Sequence, residues 1–146
     1  LEIALQVLIY PVTDAKLNSG SYADNSEGYS LTKTTMEWYW EQYLGSPDDA
    51  TNPYAAPLQA KSLAGQPRAL VITAEFDPLR DEGEAYAKRL AEAGVETTAT
   101  RYDGVIHGFF GMGAVVDKGQ QAVDEASAVL RSAFSKSGAP SPAGDN

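Results

Sequence analysis

The chain has 146 residues, 43% hydrophobic and 10% aromatic, which is enough for one domain with a real core and too apolar for a disordered chain. Eleven basic residues against twenty acidic ones leave a net charge of −9, which disfavours nucleic acid and anionic membrane surfaces as partners. The absence of cysteine excludes disulfides, thiolate zinc sites and a thiol nucleophile, and a single histidine excludes H-E-x-x-H, so no metal or cofactor is expected. A cysteine-free chain fits a reducing compartment such as the cytoplasm, and no apolar run approaches the ~20 residues of a membrane span.

In chain order, Ile3 to Tyr10 (IALQVLIY) is nearly continuous apolar and predicts a buried parallel strand, with Pro11 ending its ladder. Asp14 to Ser30 is polar and reads as turns. A helix is predicted over Leu31 to Leu44, capped by Ser30 or Thr32 and stopped by Gly45, with Met36, Tyr39, Trp40, Tyr43 and Leu44 as an apolar and aromatic stripe. Such a stripe is ordinarily core. Ser46 to Gln66, punctuated by Pro47, Pro53, Pro57 and Gly65, is an irregular return path.

Leu70, Val71 and Ile72 predict a second strand near 69 to 75, covered on both faces. Asp77 then stands where a helix N-cap belongs and Pro78 takes the first helical position. Leu79, Gly83, Tyr86, Ala87, Leu90 and Ala91 give the helix one apolar face, and Gly94 stops it. Asp81 and Glu82 lie in its first turn, where negative charge suits the helix dipole. Glu96 to Tyr102 alternates loosely and suits a sheet edge, and Asp103 to Phe110 reads as a glycine-flanked loop carrying the one histidine, His107.

A right-handed crossover makes the second and third strands neighbours, so the loops bearing Asp77 and His107 open on the same edge of the sheet. Asp77 has a simpler use as a helix cap. A carboxylate beside a histidine has a chemical one: it fixes the imidazole tautomer and stabilises the imidazolium formed when a hydroxyl nucleophile loses its proton. Asp103, in the histidine's own loop, is a rival for that role. A last helix, about Lys118 to Ser135, should lay Ala122, Val123, Ala126, Val129, Leu130, Ala133 and Phe134 on the sheet. Gly138 to Asn146 (GAPSPAGDN) predicts a disordered tail after a single domain over 1–137. No internal repeat is present.

The run DPLRDEGEAYAKRLAEAGV followed by HGFF, and preceded by YPVTD, EGYSLT, EWYWEQYLG and NPYAAPL, resembles the carboxy-terminal half of the hormone-sensitive-lipase family of α/β-hydrolases, mostly microbial carboxylesterases. The resemblance covers about Ala4 to Phe134. It implies an α/β fold in which three parallel strands with crossover helices are the last of a larger sheet, and a partial helical cap over about 14–63. It implies Asp77 as triad acid, His107 as triad base, and Leu31, Met36 and Tyr39 as an apolar acyl-pocket wall.

The family's G-x-S-x-G elbow and HGGG-type loop do not occur here. The nearest approach, Asp24-Asn25-Ser26-Glu27-Gly28, has Asp for the first Gly and no strand before it. The expectation is therefore a fragment of an esterase for short- to medium-chain acyl esters, inactive alone and completed by its missing amino-terminal half. Its first strand would offer an unpaired edge for a homo-oligomer. A non-catalytic interaction module with a hydrolase-like half fold is the alternative.

Overall fold

The structure, a computed structural model, describes residues 3–137; the expected tail lies outside them. In chain order the elements are β1 (Gln6–Ile9), α1 (Gly20–Asp24), α2 (Lys33–Tyr43), β2 (Ala69–Phe76), α3 (Arg80–Glu92), β3 (Thr97–Ile106) and α4 (Asp117–Ser137). Short 3-10 turns occur at Pro47–Thr51, Pro57–Gln59 and Phe109–Gly111.

The three strands form a parallel sheet in the order β1-β2-β3. The middle strand explains the layering. Ala69 and Val71 point to one side, onto Tyr86, Ala87 and Leu90 of α3. Leu70, Ile72 and Ala74 point to the other, onto Val105, Phe109 and Ala122 and Ala126 of α4. A strand buried on both faces has no polar alternation to show, which is why this run reads so plainly. β1 is shorter than its apolar stretch suggests and all four of its residues are only half-buried, as an edge position dictates.

β3 departs from expectation. It continues through Ile106, so the loop expected at 103–110 contracts to the turn around His107. Ala74 pairs with Tyr102 but Phe76 pairs with Ile106, so β3 carries extra residues in a bulge. Gly104 takes φ +74° there, and its amide donates to the Glu75 carboxylate. The bulge carries the strand to the point where His107 follows at once.

α4 corrects a second expectation. Its buried stripe is Ala122, Ala126 and Ala133 with Val129 packed beside them, whereas Leu130 and Phe134 are exposed, Phe134 by 67%. Both lie on the flank of the stripe, beyond the reach of a narrow sheet. At the helix start Gly119 is obligatory: a Cβ there would stand 2.5 Å from the Phe109 carbonyl oxygen. The turn after His107 packs directly on that bare backbone.

Candidate active site

The site grows from the end of β2. Asp77 is fully buried. Its Oδ1 accepts the Leu79 amide at 2.9 Å and its carbonyl accepts the Arg80 amide at 3.1 Å, forming a turn before the helix. α3 therefore starts at Arg80, not at Pro78, and Asp77 is not its N-cap. The other oxygen, Oδ2, lies 2.8 Å from His107 Nδ1. One oxygen thus holds the turn before the helix and the other meets the imidazole. Asp103 is exposed on β3, where its carbonyl accepts a bond from Lys118 Nζ.

The turn that carries Asp77 is clamped from outside by residues that sequence reading passed over. Asp14 to Ser30 is not all turns: α1 lies within it, with Ser21 and Tyr22 buried. Ser21 Oγ donates to the Pro78 carbonyl at 2.7 Å, and the Ser21 amide donates to Asp81 Oδ2 at 2.7 Å. Asn25 Nδ2 reaches the Asp77 carbonyl at 3.4 Å. Arg80 donates to the Glu75 carbonyl and to Asp81 Oδ1, and pairs with Asp24 at 3.6 Å. A five-residue polar helix has no apolar period to betray it; the only signal was the density of capping-type side chains.

Glu82 is more than a charge at a helix start. It is 4% exposed, and its Oε1 accepts the amides of Thr13 at 2.6 Å and Asp14 at 3.1 Å, while Thr13 Oγ1 donates to the Glu82 carbonyl at 3.0 Å. Burial raises its carboxyl from the ordinary 4.5 to about 7; the two amides act the other way and lose, and the nearby Asp14 charge adds to the rise. Both amides meet one oxygen, so a proton on the other breaks neither bond. Burial, with the Glu82 charge beside it, also holds the Tyr22 hydroxyl protonated well above its usual range.

A carboxyl raised on folding contributes stability fully below its unfolded value and loses it as pH climbs through the folded one. Between pH 4.5 and 7, ionising Glu82 should cost the fold about 3 kcal/mol. Glu82→Gln, which keeps the acceptor and cannot ionise, should flatten that part of the stability-against-pH curve in denaturant unfolding. An unchanged slope would remove Glu82 from the account.

Beside His107 opens a cleft of about 720 Å³. Leu31, Met36 and Tyr39 line it together with Trp38, Tyr43 and His107. Leu31 and Met36 are buried against Trp40 and Leu79, whereas Tyr39 is half exposed, so this stripe is core and cleft wall at once. Thr32 proves to be the cap of α2, its Oγ1 accepting the Thr35 amide. The described residues that line the cleft include no serine, threonine or cysteine. Among the described residues there is no group of three or more His, Asp and Glu side chains placed to hold a metal, and no helix long and apolar enough to cross a membrane.

A family model described as alpha/beta hydrolase fold matches residues 1–111. The chain belongs to this family, in its hormone-sensitive-lipase-like branch. Ethyl acetate hydrolase of Pseudomonas putida is 39% identical over 119 residues, 82% of this chain and 37% of that protein. Arylesterase of Saccharolobus solfataricus is 40% identical over 112 residues, 76% of this chain and 37% of that protein. Among solved structures, an ester-hydrolase from the metagenome of Lake Arreo, in complex with a bipyridine phosphonate derivative, superposes with TM-score 0.86 at 47% identity, over 92% of this chain and 43% of that one. The chain therefore spans well under half the length of these relatives.

Proposed function

We propose that this chain is the carboxy-terminal part of a serine carboxylesterase for short- to medium-chain acyl esters, contributing acid Asp77, base His107 and part of a helical cap over about 14–63. The observation that carries the reading is the 2.8 Å bond between a fully buried carboxylate and the one histidine, at the carboxyl edge of the sheet and beside an apolar cleft. With Nδ1 donating to Asp77, Nε2 is the nitrogen left to accept a proton. A serine in a G-x-S-x-G turn, outside this sequence, attacks the ester carbonyl as His107 takes its proton. His107 then returns the proton to the leaving alcohol, and water repeats the cycle on the acyl-enzyme.

Leu31, Met36 and Tyr39 form the acyl-side wall. The half-buried β1 is the edge on which the missing half docks, and failing that a second copy. A non-catalytic module would leave the Asp77–His107 pair without a use. The test is covalent. The full-length enzyme, treated with an alkyl phosphonate ester, should lose ester hydrolysis in step with one adduct on the elbow serine, located by mass spectrometry, and the present chain alone should take none. Hydrolysis that persists with that serine modified would defeat the proposal.

A further inference from the structure

Tyr10 closes β1 in a conformation that bulky side chains rarely adopt, with φ +36°, directly before Pro11. A residue before proline is pushed towards extended backbone, so both local rules oppose this geometry and tertiary contacts must hold it. Its amide donates to the Ile72 carbonyl at 2.6 Å, tying the end of β1 to β2. Its ring centroid lies 4.2 Å from that of His107, with the planes tilted by 53°, and 6.1 Å from Phe109. The sharp exit from the sheet thus leaves an aromatic wall against the imidazole.

We infer that Tyr10 is a positioning residue for His107, its ring fixing the plane of the imidazole so that Nε2 is presented to the nucleophile. The inference rests on the reading of His107 as the base. Asp77 tethers His107 at one atom, Nδ1, and a single hydrogen bond leaves the ring able to rock about that tether. A wall against the ring removes this freedom. Aromatic rings in tilted contact attract, and a protonated imidazole is drawn to an aromatic ring more strongly than a neutral one. The contact therefore strengthens as His107 takes the proton. It is made by the ring, and the hydroxyl has no part in it.

The test uses the full-length enzyme and three variants. Tyr10→Phe keeps the ring and should keep kcat within about threefold, a side-chain change that leaves the positioning intact. Tyr10→Gly suits the positive φ and removes the ring; kcat should fall by roughly a hundredfold, the cost of a catalytic group misplaced by about 1 Å, with KM little changed. Should the glycine variant not fold, Tyr10→Leu carries the same expectation. A ring-free variant that is folded and retains kcat overturns the inference, as does Tyr10→Phe falling as far as Tyr10→Gly, which would assign the role to the hydroxyl. His107→Ala run in parallel separates the two readings: if it stays active the triad proposal fails, and if it is inactive while Tyr10→Gly is active only the positioning role fails.

Discussion

Replacing His107 by alanine in the full-length enzyme should lower kcat for a soluble ester by about 10⁴-fold or more, with the far-ultraviolet circular dichroism unchanged. Among the described residues the imidazole is the hydrogen-bond partner of Asp77 Oδ2, and it is the one histidine in the lining of the cleft. On the proposed mechanism no base is then left to take the serine proton, and what survives is the contribution of binding and the oxyanion hole. Some stability should go as well, because Asp77 stays fully buried with one oxygen deprived of its donor, a cost of about 1–3 kcal/mol. A folded variant that retains turnover within tenfold of the parent would sink the assignment of His107 as base.

Asp77→Asn should cost about 10⁴-fold in kcat for a different reason. The amide can still accept the Leu79 N–H through its oxygen, so the turn before α3 survives. Its NH2 group then faces His107 Nδ1 as a donor and forces the ring into the tautomer that presents N–H to the nucleophile. Asp103→Asn, at an exposed position on β3, should change kcat by no more than about twofold. Steady-state kinetics on the pair decides between them: comparable losses in both would mean that the acid is shared or misassigned.

How much of this was legible depends on which physics wrote each residue. β2 and α3 are plain because a doubly covered strand must be continuously apolar and a helix on a sheet must repeat at three and four. The neighbourhood of Asp77 and His107 followed from the handedness of one crossover, without any side-chain information. α3 starts two residues later than the sequence suggests, because an aspartate before proline makes the same local signal for a cap and for the tighter turn seen here.

α1 escaped because tertiary hydrogen bonds from Ser21 and Asn25 hold it, and no local propensity announces such bonds. Glu82 looked like a dipole charge because burial is not visible in a polar segment. The backbone twist at Tyr10 is hidden for the same reason: a local sequence ending in Tyr-Pro argues for extended chain, and only the finished fold outvotes it.

The clamps on the acid and the wall of the cleft are held by different kinds of force, and selection meets them differently. Ser21 and Asn25 fasten the Asp77 turn with directional hydrogen bonds to its carbonyls, each of which is lost when the donor side chain is replaced. α2, only a few residues further along, meets the same turn through the packing of Met36 and Trp40, with Leu31 just before the helix, on Leu79. Apolar packing tolerates exchanges of similar volume at less than about 1.5 kcal/mol each. Under the proposed function, mutation can therefore remodel the acyl-side wall while the acid stays where it is, and a lineage can explore new esters through α2 without first losing its chemistry.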